Sequence, residues 1–533
     1  MTTPADNLVP ITNNALIDGL TWGAAWQFGG GAHTLTYSLS LNDSSNGGAW
    51  TPALSNAARL ALADWSNVAN LTFVESGSGA VYTQSPADLA LILTGNQLWT
   101  NMNGLVGLGL PPSPSFADSF LAGIYESRAT YPHPEGDVAL DNYYTGFNYL
   151  NPGGIGLTIM LHEIGHALGL KHTNDASSGR PTFAGLGISN LDSNLYTVMS
   201  YTDAAGHPFG TDVLGNAATP MPLDILAMQQ IYGANTSYHT GDDTYTFYGP
   251  SAAMASTIWD AGGNDTLAAG AINQYNNVTL DLREGHYSQS PTISGLSLAI
   301  AYGAVIENAI GGDGNDTLIG NAADNHLNGG TGFDTAQYSG NQADYTITKS
   351  VGYGYTVTDT NLLDGNDGTD TLFAIEHLQF AVGAVDLPSR ILEHVASPAV
   401  WMVIDNQHDY NSDGTNDLWW KQANGSAAIW VMDGTNTLAP HILGPNSGWT
   451  VVDATSDYNR DGKADLAWHN TDGSTMQWIN AVDLATAQGA ALPLPPPVAS
   501  PPPPNVPPLP PDVPPAAPVV PPPPPPDPGW PLS

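Results

Sequence analysis

The segment His162-Glu163-Ile-Gly-His166-Ala-Leu-Gly169-Leu-Lys-His172 sets three imidazoles and one carboxylate at spacings that can do chemistry. Residues four apart are neighbours on a helix, so His162 and His166 can close on one ion. Glu163 is turned about 100° away, too far round to be an equivalent ligand, yet it can reach a water on that ion. His172 lies off the shared face. A chain reversal at Gly169 would bring it round, because glycine enters left-handed backbone without penalty. Three neutral imidazoles leave a tetrahedral zinc with one open position, the arrangement of catalytic rather than structural sites. The bland alternative is a helix with surface histidines. Random scattering of this composition yields all five fixed positions in roughly one chain in 10⁵, so the long pattern outranks a bare His-Glu-x-x-His.

A second chemistry lies downstream. Three nine-residue units run in register from Gly311-Gly312-Asp313-Gly314-Asn-Asp316-Thr-Leu-Ile319, through Gly320 to Asn328, to Gly329-Gly330-Thr-Gly332-Phe-Asp334-Thr-Ala-Gln337. They match the calcium-binding repeat of the RTX parallel β-roll: glycines allow the tight turn, Asp carboxylates and turn carbonyls face the ion, and Leu318 and Leu327 fill the interior. The alternative is a flexible Gly-rich linker. Farther on, Asp409-x-Asn411-x-Asp413-Gly414 and Asp457-x-Asn459-x-Asp461-Gly462 begin like EF-hand loops, but Trp420 and Trp468 stand where the twelfth-position Glu belongs. With Asp417 and Asp465 at position nine, they read as calcium loops between strands, or as plain Asp-rich turns.

Composition agrees with bound cations. The 533 residues hold 10 Lys plus Arg against 49 Asp plus Glu, a net charge of −39, and no cysteine. Duplex nucleic acid and anionic membranes are poor partners for that field, and any metal must use imidazole, carboxylate or carbonyl ligands. No apolar run is long enough to span a bilayer. Met1 to Pro10 lacks the basic start and apolar stretch of a secretory signal.

The elements that must position these residues can be read from periodicity. Leu35, Tyr37 and Leu39 alternate as a strand; Leu54, Ala57, Ala61, Trp65 and Val68 recur at helical spacing; Leu71 to Val74 reads as a strand. A helix is expected from about Leu157 to Gly169, with Leu161, Ile164 and Leu168 as its apolar stripe and the histidines pointing elsewhere. His33, His133 and His207 have no ligand spacing and are expected in loops or at the surface. Between Ser397 and Asn480 a 48-residue repeat aligns Trp401 to Trp430 with Trp449 to Trp478. From about Leu492 the chain is Pro-dominated, a polyproline-II-like tail.

With the long histidine pattern followed by Thr197-Val-Met199-Ser-Tyr201, the sequence resembles the metzincin metalloproteases, specifically the serralysin family. Ala58 to Glu75 resembles that family's first helix and following strand, and Pro222 to Gly233 the helix closing its catalytic domain; the resemblance covers most of residues 20 to 340. It implies an α+β/α-β catalytic domain, a mixed sheet with two long helices, over residues 21–235 after a propeptide-like segment 1–20. An all-β parallel β-roll follows over 236–386, then a small β repeat module over 397–480 that resembles FG-GAP/VCBS repeats, and the tail 492–533. It also implies Met199 as an apolar floor under the histidines and Tyr201 as a switchable zinc ligand, ordinary core packing being the alternative. Thr173 departs from the family, which usually carries Pro after the third histidine.

The expected function is a secreted zinc endopeptidase, with one catalytic zinc and several structural calcium ions, acting on protein or peptide substrates. Glu163 would move the water proton to the leaving amine, and Tyr201 would help hold the oxyanion. An extended substrate would pair with an edge strand, for which Val138 to Tyr143 is the candidate. The resemblance implies export by type I secretion machinery without a cleavable signal peptide, although the family's C-terminal export signal is replaced here by a tail ending Gly-Trp-Pro-Leu-Ser533. The repeat tryptophans serve either a core or a glycan- or surface-partner face. The competing function is a calcium-dependent adhesin with a vestigial protease domain, which has no need of Glu163.

Overall fold

A five-stranded mixed sheet and two long helices carry the histidine segment. The computed structural model describes residues 2–41, 49–94, 105–124, 126–176, 179–204, 215–247, 254–269, 277–290, 297–349, 354–363, 365–387, 401–405, 418–422, 427–433, 436–443, 449–453, 466–470 and 475–478. The chain forms two compact units, Met1–Asn446 and Ser447–Ser533. Strands β1 (Thr34–Leu41), β2 (Thr72–Val81), β3 (Leu89–Thr94), β4 (Gly107–Gly109) and β5 (Val138–Asp141) lie in the order β2-β1-β3-β5-β4. The first four in that order are parallel; β4 alone runs antiparallel, against β5.

Helix α1 (Pro52–Val68) starts where Thr51 accepts the Leu54 N–H at 3.2 Å, with Pro at its first turn. Its buried stripe, Leu54, Ala57, Ala61, Trp65 and Val68, reproduces the sequence periodicity. Trp65 Nε1 donates to the Leu161 carbonyl at 3.2 Å, which ties α1 to the histidine helix. That helix, α2, spans Ile155–Ala167, two residues earlier at each end than expected, and all of it is buried, His162, Glu163 and His166 included. An apolar stripe with a polar back was the expectation; the back is covered because β4 lies against the Glu163 face. Helix α3 (Pro222–Tyr232) closes this part, and Tyr232 Oη donates to the Leu168 carbonyl at 2.8 Å.

The edge assignment is corrected. Val138 to Asp141 is paired on both sides, Leu91 opposite Val138 and Leu108 opposite Ala139. Among the described residues the edges of this sheet are β2 and β4, and β4 is the edge beside the histidine helix. Alternating glycines made that strand illegible, since glycine disfavours strands unless another group approaches closely.

Beyond α3, the nonapeptides form short parallel strands that alternate between two sheets. Strands β6 (Asn308–Ile310), β8 (His326–Asn328) and β10 (Thr369–Phe373) stack in one; β7 (Thr317–Ile319), β9 (Thr335–Gln337) and β11 (His377–Gln379) stack in the other. Leu318, Leu327, Ala336 and Leu378 are fully buried between them. One apolar core runs from Val9 to Leu387 and contains both Leu161 and Leu318. The 48-residue repeat shows as matching strand pairs: Val403 faces Trp420 and Val451 faces Trp468, each with an irregularity before the following Asp. Among the described residues no helix is long and apolar enough to cross a membrane.

Buried acid makes this fold pH-sensitive. Burial pushes the Asp137 carboxyl up to about 8, although Ala90 N–H at 2.6 Å and Tyr131 Oη at 2.5 Å donate to it. A raised folded pKa gives stability that is complete below the unfolded value and lost as pH rises through the folded one. The wild type should therefore lose melting temperature as pH rises from 4 to 8, and Asp137→Asn should flatten that decline. Parallel slopes in thermal melts would refute this.

Candidate metal centre

Helix α2 ends at Leu168, and Gly169 takes φ +110° to turn the chain. A side chain there would be strained in any space, and its Cβ would stand 2.7 Å from the Ala24 carbonyl oxygen. The returning segment is pinned by Trp22 N–H to Gly169 O and Lys171 N–H to Leu20 O, both at 2.8 Å. This reversal delivers His172: its Nε2 lies 3.1 Å from His162 Nε2 and 3.0 Å from His166 Nε2.

The other ring nitrogens fix the orientation. His162 Nδ1 lies 2.6 Å from the Val198 carbonyl and His166 Nδ1 2.9 Å from the Leu170 carbonyl. A carbonyl only accepts, so the proton belongs on Nδ1 in both rings and both Nε2 lone pairs face inward. His172 Nε2 also has the Tyr201 hydroxyl at 2.8 Å. It can donate to one inward lone pair only, so the cluster lacks the protons to satisfy itself. A cation fits, and tetrahedral Zn–N bonds of about 2.05 Å would need nitrogens roughly 3.3 Å apart. Burial lowers His162 to about 3, with His172 adding to the shift. Burial likewise lowers His166 and His172, so all three imidazoles are neutral at pH 7, the form that ligates metals.

Glu163, one residue along the helix from His162, packs against β4. Burial raises its carboxyl to about 8, with the Gly109 N–H opposing the rise. A Cβ on Gly107 would stand 2.5 Å from Glu163 Oε1, and one on Gly109 would collide with the Glu163 carbonyl oxygen. Neither glycine figured in the sequence reading. The alternation Gly107-Leu-Gly109-Leu110 was the available signal. Tyr201 is 56% exposed, and its phenol is pushed up to about 12 by partial burial and by Glu163.

Met199 is fully buried in the core, with its Sδ facing α2 at Gly165. The turn carrying it hangs on Asp224, another residue the sequence reading passed over. Asp224 accepts from Thr197 Oγ1 at 2.5 Å, Val198 N–H at 2.7 Å and Met221 N–H at 2.9 Å. Burial lifts this carboxyl to about 7. Val198 thus receives Asp224 through its N–H and orients His162 through its carbonyl.

The roll offers oxygen donors. Asp316 accepts the N–H groups of Gly312 at 2.6 Å and Val278 at 2.8 Å, and Asp334 accepts the Asp316 N–H at 2.8 Å. Asp313 accepts from Thr331 Oγ1 at 2.9 Å. Gly311 and Gly329 leave no room for a Cβ, which would stand 2.6 Å and 2.5 Å from Oδ2 of Asp316 and Asp334 respectively. Gly330 and Gly332 have φ +94° and +145° and stack on the Gly312 and Gly314 carbonyls. Buried Oδ2 atoms of Asp265, Asp334 and Asp370 have no hydrogen-bond partner. Burial raises these three to about 6, 7 and 8. Orphaned buried carboxylate oxygens beside turn carbonyls fit calcium.

His239, Asp243 and Asp260 form a further donor cluster, with His239 Nδ1 2.9 Å from Asp243 Oδ2. His33 is half-buried and stacks on Phe28 at 4.5 Å; His133 is exposed; His207 lies outside the described residues. Asp409, Asn411, Asp413, Asp417, Asp457, Asn459, Asp461 and Asp465 also lie outside them.

Fold and site together define a three-histidine metal centre on a mixed α/β layer joined to a parallel β-roll. Residues 222–411 match the family Peptidase M10 serralysin C terminal. The chain is 34% identical over 287 residues to serralysin of Proteus mirabilis, covering 51% of this chain and 54% of that one. It is 34% identical over 337 residues to serralysin B of Dickeya chrysanthemi, covering 58% and 64%, and 32% identical to serralysin G of the same organism, covering 58% and 63%. The chain spans 54% to 64% of the length of these relatives. Over the matched residues the chain is similar to serralysins, and residues 222–411 to the serralysin C-terminal region.

Gly109→Val tests the packing of β4 on α2. Overpacking of about 2 kcal/mol should lower the melting temperature by roughly 5 °C. An unchanged melting temperature would show that β4 does not press on the histidine helix.

Proposed function

We propose that this chain is a secreted zinc endopeptidase whose roll is held in shape by calcium. The observation that carries the proposal is the meeting of three neutral, inward-facing imidazoles beside a buried carboxyl and beneath an open strand edge. His162, His166 and His172 would hold zinc, which when bound supplies Lewis-acid polarisation of a peptide carbonyl and a nucleophile near neutral pH. Glu163 is the proton carrier. Zinc bound beside it would draw its pKa back down, leaving a carboxylate that can accept a proton from water and pass it to the leaving amine. Tyr201 keeps its proton to about 12 and so can donate a hydrogen bond to the developing oxyanion.

Strand β4 would receive the substrate. Its outer edge would pair an extended chain through the backbone groups that Glu163 leaves unused, the Gly109 N–H being held by that carboxyl, and side-chain-free positions at Gly107 and Gly109 let the strand sit directly over Glu163. The substrates are therefore unfolded or loop segments of proteins. The names of the relatives, all serralysins, support the same reading. Calcium supports it too: ions filled outside the cell would staple a protein that has no cysteine.

A casein zymogram of the zinc-loaded chain should show clearing that Glu163→Ala abolishes at equal zinc content and that a chelator abolishes in the wild type. Equal clearing by both proteins would sink the mechanism, and no clearing by zinc-loaded wild type would sink the function. Calcium at about a hundred times its Kd should stabilise the roll by about 2.7 kcal/mol per site. Melting curves with and without calcium measure this; coincident curves would remove calcium from the proposal.

A further inference from the structure

Thr173 and Ser200 meet on one atom. Thr173 Oγ1 and Ser200 Oγ each donate to Asp192 Oδ1, both at 2.6 Å. Thr173 immediately follows the third histidine and Ser200 immediately precedes Tyr201, and both are buried. Each loop also has bonds of its own. The Thr173 carbonyl accepts from Phe183 N–H at 2.9 Å, while Ser200 Oγ accepts from Thr202 N–H at 3.0 Å and the Thr202 carbonyl from Asn194 N–H at 2.9 Å. Across this join, the Tyr201 hydroxyl stands 2.8 Å from His172 Nε2.

We propose that Asp192 is a clamp that sets Tyr201 against the third histidine, with Thr173 and Ser200 as its positioning residues. The proposal rests on the zinc peptidase reading. The hydroxyl at position 173 is its key: the Pro expected there has none, and a carboxylate oxygen accepting two hydroxyl protons is a strong, directional anchor. His162 and His166 are oriented by the Val198 and Leu170 carbonyls instead. Loss of the clamp therefore moves Tyr201 relative to the metal without dismantling the two-histidine base.

The test uses the full chain as wild type, Thr173→Val, Thr173→Ser and Ser200→Ala. Zinc affinity is measured by chelator competition, kcat and KM on a casein-derived peptide, and the phenolate-to-copper charge-transfer absorption on the Cu²⁺-loaded protein. Thr173→Val and Ser200→Ala should lower kcat about tenfold and weaken the copper absorption, with zinc affinity held within about threefold. Thr173→Ser, which keeps the hydroxyl, should retain wild-type behaviour. The clamp is overturned by a Thr173→Val variant with wild-type kcat and absorption, by a Thr173→Ser variant as impaired as Thr173→Val, or by activity that falls in step with zinc loss. The absorption is read without turnover. A wild type that binds metal and shows the band, yet cleaves nothing, would therefore overturn the peptidase reading and leave the clamp standing.

Discussion

Three imidazole nitrogens are kept pointing at one place beside the core, and the rest of the structure is arranged around that constraint. Buried imidazoles stay neutral, as the depressed values of His162, His166 and His172 require. Neutral rings must still choose a tautomer, and two backbone carbonyls make the choice. One of those carbonyls belongs to Val198, whose own N–H is held by Asp224 on α3. Orientation of the first histidine thus reaches back to a helix some sixty residues downstream. Coupling of this kind is why supporting groups behave almost as part of a metal centre.

The same logic, with oxygen in place of nitrogen, builds the roll. Turns stack so closely that a Cβ on Gly311 would collide with the Gly329 carbonyl and one on Gly329 with the Ala374 carbonyl, while each would also crowd the carboxylate of its own turn. That closeness buries Asp316 and Asp334 and leaves Oδ2 of Asp334 with no proton donor. The acid that gives the chain its charge of −39 is partly of this kind.

Much of this was legible beforehand because it is local. Histidines four apart on a helix share a face whatever surrounds them, and Gly169 announced a reversal that its φ of +110° shows. The nonapeptide register likewise predicts the nine-residue strand spacing seen from β6 to β9. What could not be read depends on contacts between distant segments. Burial of α2 on its polar side follows from β4, fifty residues earlier, and β4 itself was hidden by glycines whose purpose is to let Glu163 approach. Asp192 and Asp224 carry no motif. Each is an ordinary acidic residue in sequence, and only the loops it joins make it an anchor.

The sequence by itself determined the ligand types, their helical spacing and the repeat period, since these follow from backbone geometry at short range. Tertiary structure alone decided which strand became the open edge, which nitrogen of each ring faces inward, and which carboxylates lost their water. Those outcomes depend on burial and on hydrogen-bond partners supplied from far along the chain, and neither is encoded in any local window.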